Sequence, residues 1–237
     1  MNVDAIAGWV ERELRRRARP AVAAQAHKFF QQDQRVPIRG VRAAEVRRIA
    51  TEARRALGRD SVGELLSLAE RLLASRWLED KTAGIYAAGS YTRRFVEPEF
   101  RRSERWLRFI SDWASNDGLT INVLGPQLVA DRKRVRRVFL WARSRNRWYR
   151  RAAATSLIPA ARRGLYTDGI FRLARRLYRD PDEMVQKGVG WLLKEACKAR
   201  RAEVVCFLLS VKHNAPRLVL RYASEKLSPT ERRRVLA

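Results

Sequence analysis

Residues 43–57 read AAEVRRIATEARRAL, with apolar side chains at Val46, Ile49, Ala50 and Ala53 and arginines or glutamates between them. Recurrence at three and four residues is the period of a helix with one face for a core and one for solvent. The same period returns over 62–73, 98–110, 132–142 and 184–199. No stretch alternates β-branched and polar residues with period two, so strands are not expected. The eight prolines fall mostly where one helical pattern ends and the next begins. Pro126 is the exception, and with Gly125 it is expected to kink or split a helix.

Similar helix starts recur near Trp77, Trp113, Arg147 and Glu183, about 34 to 36 residues apart. Helix pairs repeating at that length read as an α-solenoid of the HEAT class. The expected fold is all-α: HEAT-like helical repeats, curved so that their concave face forms a basic groove. No low-complexity linker interrupts the chain, so residues 1–237 are expected to form a single repeat domain, with 1–18 and 216–237 as its capping segments.

Composition narrows the partners. The formal net charge is +26, from 43 arginines and eight lysines against 25 acidic residues. Such a balance favours nucleic acid, because each phosphate contact releases condensed counterions. Hydrophobic residues at 46% and charged residues at 32% suit a folded, soluble chain. Residues 1–10 carry Asp4 and do not resemble a secretory signal, and apolar runs such as 204–209 are too short to cross a bilayer. The expectation is a reduced, cytoplasmic, nucleoid-associated monomer with no membrane contact and no obligate protein partner. Cys197 and Cys206, with His27 and His213, provide neither a disulfide framework nor a common zinc site, so no metal and no cofactor is expected.

Four residues stand out, each with two readings. If 113–117 is helical, Trp113 and Asp117 share a face and could grip one cationic group; otherwise Trp113 is a packing anchor, and Asn116-Asp117-Gly118 is a turn whose Asp117 caps the next helix. Arg151 opens the apolar run 152–158, where a surface arginine lying along its own stem is the default. Trp191 by spacing alone favours packing, although Gly188 and Gly190 thin the helix surface beside it and would let a backbone or a ligand approach.

The string Trp141-Ala142-Arg143-Ser144-Arg145-Asn146-Arg147-Trp148-Tyr149-Arg150-Arg151-Ala152-Ala153, followed by Gln186-Lys187-Gly188-Val189-Gly190-Trp191-Leu192-Leu193-Lys194-Glu195, resembles the DNA alkylation repair family of HEAT-like glycosylases, whose type member is AlkD. Gly40-Val41-Arg42 with Glu45 and Arg47 is similar to that family's N-terminal motif, and Trp113 with Asp117 to its central one. The resemblance spans about residues 25 to 200. It implies an enzyme that removes positively charged N3- or N7-alkylated purines from duplex DNA without extruding the base into a deep pocket. Carried over, Trp113 and Trp191 would flank the lesion nucleotide and Asp117 would face the deoxyribose. Arg151 would hold a nearby phosphate, with Arg42, Arg47, Trp148, Arg150 and Lys187 also on the DNA. The family's N-terminal aromatic maps to Phe29 or Phe30. The chain departs from the family pattern around Asp112 and Ala114, and at Glu183 and Met184.

The implied chemistry suits these residue types. An alkylated purine leaves as a neutral base, so no strong general acid is required. The sugar gains oxocarbenium character, which a carboxylate stabilises and can exploit by orienting water. No lysine is placed for Schiff-base lyase chemistry, so the enzyme would be monofunctional. A catalytically silent DNA- or RNA-binding module on the same scaffold is the alternative.

Overall fold

A computed structural model describes residues 2–30, 36–58 and 61–237. Met1, the first residue of the expected N-terminal cap, lies outside the described residues. All regular elements among them are helical, and the chain divides into two compact units, 1–124 and 125–237.

The first unit contains α1 (Val3–Arg16), α2 (Pro20–His27), α3 (Ala43–Ala56), α4 (Val62–Leu73), α5 (Leu78–Gly89), α6 (Glu97–Glu104) and α7 (Trp113–Leu119). The apolar stripe of α3 is buried at Val46, Ile49, Ala50 and Ala53, while Arg47, Arg48 and Arg55 face solvent. That stripe meets Ile6, Val10 and Leu14 of α1 and Leu65, Leu68 and Leu72 of α4 in one core. Gly84 lets α5 lie against α4, since a Cβ there would stand 3.0 Å from the Ala69 carbonyl oxygen. Polar fastening is equally specific. Glu79, in the first turn of α5, accepts the amides of Arg39, Gly40 and Val41 at 2.9, 2.7 and 3.1 Å. Gly40 makes this loop possible with φ +81°, a left-handed conformation that a side chain resists. The neighbouring Asp80 takes the Arg39 guanidinium in a buried two-point pair, 2.9 Å at each contact.

The second unit contains α8 (Gly125–Ala130), α9 (Arg136–Trp141), α10 (Arg147–Thr155), α11 (Ile158–Ala161), α12 (Thr167–Leu177), α13 (Glu183–Val211), α14 (Arg217–Ala223) and α15 (Pro229–Leu236). Its core includes Ala152, Leu157, Leu173, Val189, Leu192, Leu208 and Leu220, each no more than 2% exposed. α13 is broken at Arg200, where φ −137° and ψ 49° leave the helical region. The break explains why the sequence period stops at residue 199.

The expected split at Gly125-Pro126 is present, as a widened π turn over Thr120–Leu124 that precedes α8. A widened turn accommodates the proline, which cannot donate an amide to the helix. Two expected helices are tighter than their pattern suggested. Residues 98–110 divide into α6 and a 3-10 segment, Arg105–Phe109, and 132–142 into a 3-10 segment, Arg132–Val135, and α9. In the first case the tighter winding accompanies complete burial of Trp106 and Leu107.

The repeat is more regular than the sequence disclosed. One helix of each repeat starts at residues 43, 78, 113, 147, 183 and 217, steps of 34 to 36 residues. A second series starts at 62, 97, 132 and 167. This all-helical repeat is of the HEAT class, with α3, α5 and α7 of the first series in unit 1 and α10, α13 and α14 in unit 2.

Candidate functional site

In the first unit the candidate residues gather on α7. Asp112 starts the helix: its side chain accepts the Ser115 amide at 2.7 Å, satisfying a first-turn donor that would otherwise be orphaned. The condition posed by the sequence is met, because residues 113–117 are helical and Trp113 and Asp117 lie one turn apart on one face. Asp117 sits inside this helix rather than at a turn that opens the next one, and α7 itself is capped by Asp112. Ser115 and Asn116 point into the core, whereas Trp113 and Asp117 are half-buried. The Phe30 ring stacks on Trp113 with centroids 5.3 Å apart and planes at 26°. Phe29 is 71% exposed, so Phe30 is the aromatic that joins Trp113.

Arg42, immediately before α3, and Arg47, on it, are both exposed, and the Arg47 guanidinium lies over the Tyr86 ring of α5 at 4.8 Å. Glu45 has a different task. It takes the Arg19 guanidinium at two points, 3.1 Å each, and so ties the start of α2 to α3.

The second unit distributes its candidates between α10 and α13. Asn146 caps α10 by accepting the Trp148 amide at 2.8 Å. Trp148 is buried, with Arg147 over its ring at 4.8 Å and paired with Asp182 at 3.1 Å. Arg150 grips Asp180 at two points, 2.7 and 3.0 Å, and reaches the carbonyls of Ser144 and Arg145 at 3.0 and 2.9 Å. Hydrogen bonding to Asp180 is the main reason its pKa is raised still further. Both residues therefore fasten the fold at the loop that leads into α13.

Arg151 is 5% exposed; it donates to the Met184 carbonyl, and its side chain lies against Gly188. Gly188 thus makes room for Arg151, while Gly190 makes room for α14, whose Val219 oxygen would stand 3.1 Å from an added Cβ. Lys187 pairs with Glu183, one of the residues at which the chain departs from the family pattern, at 3.4 Å, and Trp191 is half-buried one turn further on.

The repeat register unites most of these residues. The fifth positions of α3, α5, α7, α10, α13 and α14 are Arg47, Thr82, Asp117, Arg151, Lys187 and Arg221. Four are cations, one is neutral, and Asp117 is the single carboxylate. The ninth positions include Tyr86 on α5 and Trp191 on α13. Sequence reasoning overlooked Arg221 and Tyr86, which only this register singles out, and Asp112, whose cap signal was an aspartate immediately before a helix.

Among the described residues no helix is long and apolar enough to cross a membrane, and no three His, Cys, Asp or Glu side chains gather to hold a metal ion. Fold and register define an all-helical repeat protein of the HEAT class. The chain belongs to the DNA alkylation repair enzyme family, whose profile matches residues 10–227. This membership ties it to the repair of alkylated DNA. Its fold is similar to that of a solved protein from Enterococcus faecalis described as a predicted DNA alkylation repair enzyme. The TM-score is 0.77 at 18% identity, covering 90% of this chain and 98% of the other. No curated protein matches the chain.

Proposed function

We propose that the protein is a monofunctional DNA glycosylase that hydrolyses the N-glycosidic bond of N3- or N7-alkylated purines in duplex DNA. The observation that carries this reading is the lone carboxylate at a register position otherwise occupied by cations and one threonine. Asp117 stands one helical turn from Trp113, itself stacked on Phe30. Cations at such positions suit a phosphate backbone. A carboxylate there opposes general polyanion binding, and its use lies where positive charge develops.

In the reaction, the cationic base leaves as a neutral purine, carrying the electron pair of the glycosidic bond with it. Asp117 stabilises the oxocarbenium character left on the deoxyribose and orients the water that attacks C1′. Trp113 and Trp191 flank the lesion nucleotide, where each indole face attracts the cationic base by about 0.5 to 2 kcal/mol. Arg47, Arg42 and Lys187 contact phosphates. Arg151 holds a phosphate near the lesion while bracing the first turn of α13. Trp148 and Arg150 support the DNA-binding surface through the packing and ion pairs that fix α10 and the approach to α13. Residues 1–237 act as a single repeat domain, as a monomer in the cytoplasm, with alkylated duplex DNA as the partner. Selectivity follows from leaving-group charge, since an unmodified purine is not activated and the site supplies no strong acid to protonate it.

The test is incubation with duplexes carrying a single N7-methylguanine or N3-methyladenine, with chromatographic detection of the free base. Release of either supports the glycosylase. Tight, salt-sensitive duplex binding with no release from either would instead assign a silent binding module.

A further inference from the structure

Among the buried charged residues of the first unit that the proposed reaction does not use, Lys81 and Asp112 flank the turn into α7. Lys81, on α5, is 5% exposed, and Asp112, the residue that starts α7, is fully buried. The Lys81 ammonium donates to the Phe109 carbonyl at 2.6 Å, just before the turn into α7. Asp112 holds the other side of that turn through the Ser115 amide at 2.7 Å. The two charges also feel each other. Burial drives the Asp112 pKa up and the Lys81 pKa down, and in each case the partner's charge opposes that drift.

Two buried charges are an expensive way to hold a turn, the more so because Lys81 and Asp112 make no direct ion pair and Asp112 Oδ2 has no hydrogen-bond partner among the described residues. Their desolvation cost commonly outweighs their attraction, so neutral residues of similar volume can be as stable or more so. What ions add is geometry. The lysine's donor must meet the Phe109 oxygen, and Asp112 Oδ1 must meet the first turn of α7, before either charge has a partner. Trp113 is the very next residue, and Asp117 follows one turn later.

We infer that Lys81 and Asp112 are positioning residues, two buried charges that anchor the turn into α7 from either side and thereby fix the placement of Trp113 and Asp117. Neither touches substrate. The inference rests on the proposed role of α7 for its consequence in base release, but its geometric content can be read without any activity.

The experiment compares Lys81→Met, Asp112→Asn and the double variant with the wild type. Asparagine caps a helix about as well as aspartate, so Asp112→Asn removes charge and leaves the cap. Each single variant strands one buried charge. Each is expected to slow single-turnover release of N7-methylguanine by about tenfold while duplex affinity changes less than twofold, and the double variant is expected to be no slower than the slower single. In protein labelled with 5-fluorotryptophan, the Trp113 fluorine resonance, assigned by its loss in Trp113→Phe, is expected to move in both single variants while that of Trp191 stays in place. Independent losses that multiply in the double variant, or an unmoved Trp113 resonance in both singles, would overturn the inference. Should a single variant not fold, the unfolding temperatures of the wild type, the other single and the neutral double decide: a double at least as stable as the folded single supports the pair, and a less stable one refutes it. If the wild type releases no base yet the Trp113 resonance moves, the positioning pair stands and the glycosylase assignment falls.

Discussion

α7 and α10 occupy corresponding places in successive repeats, and they are built alike up to the residue that matters. Each opens with a short polar side chain over its first turn, Asp112 in one and Asn146 in the other. Each carries a tryptophan in that first turn. At the fifth position they part: α7 presents a half-buried carboxylate, Asp117, and α10 a buried guanidinium, Arg151, bonded to the Met184 carbonyl. The tryptophans part as well, since Trp113 is half-buried against Phe30, whereas Trp148 is packed away beneath Arg147. A common helix register therefore does not confer a common role. One helix leaves its tryptophan and its carboxylate half-buried, and the other spends similar residues on fastening the next repeat.

The largest effect should come from Asp117→Asn on α7, which is expected to slow single-turnover base release by about 10²-fold or more while leaving duplex affinity within about twofold. On α10 the corresponding disruption should register in stability. Arg150→Gln strips Asp180 of its two-point partner and is expected to cost roughly 2 to 4 kcal/mol in urea unfolding, less than a fully buried pair because Arg150 retains some solvent contact. An unchanged midpoint would mean that the Asp180 pair does not fasten the fold.

Two glycines extend the comparison. Gly190→Ala brings a Cβ to 2.5 Å from the Tyr222 Cβ on α14, so the helices must separate, at about 1 to 3 kcal/mol. Gly118→Ala on α7 meets only Ile85, at 3.5 Å, and should be neutral or stabilising by up to about 1 kcal/mol. Thermal unfolding of the two variants separates a crowded helix contact from a roomy one. A finer effect tests the register. Arg221→Gln should reduce the slope of log affinity against log salt by about 0.9, while Arg176→Gln, on α12 of the other helix series, should leave it unchanged. Equal slopes for both would remove the distinction between register arginines and the rest.

The smallest expected effect is electrostatic and lies in the second unit. Burial raises the Glu195 pKa, but hydrogen bonds from Lys198 and Arg162 outweigh it and bring the carboxyl from 4.5 to about 2. A pKa depressed on folding stabilises the fold above the unfolded value near 4.5, and that contribution fades as pH falls towards about 2. Glu195→Gln should therefore narrow the stability difference between pH 6 and pH 3, as followed by urea unfolding at each pH.

Much of this architecture was readable in the residues. The helix Val62–Leu73 has the bounds that its apolar period implies, and four of the six register starts announce themselves near Trp77, Trp113, Arg147 and Glu183. The other two, at Ala43 and Arg217, did not stand out as members of that series, although the helix that begins at Ala43 was itself legible from its apolar period. The pairing of Trp113 with Asp117 was legible because helical spacing alone creates it. The burial of Trp148 and the commitment of Arg150 were not, because the deciding partners, Asp180 and Asp182, lie some thirty residues away in the chain. Choosing Phe30 over Phe29 likewise required a ring contact across more than eighty residues of sequence.

The most direct measurement is single-turnover base release by the wild type from matched duplexes carrying N7-methylguanine or its uncharged 7-deaza-7-methyl counterpart. If the leaving group's own charge supplies the activation and Asp117 answers the charge left behind, the cationic base should appear free in solution while the uncharged one stays attached, although both duplexes bind. Tight binding of both duplexes with release from neither would contradict the glycosylase, and equal release from both would contradict charge as the source of its selectivity.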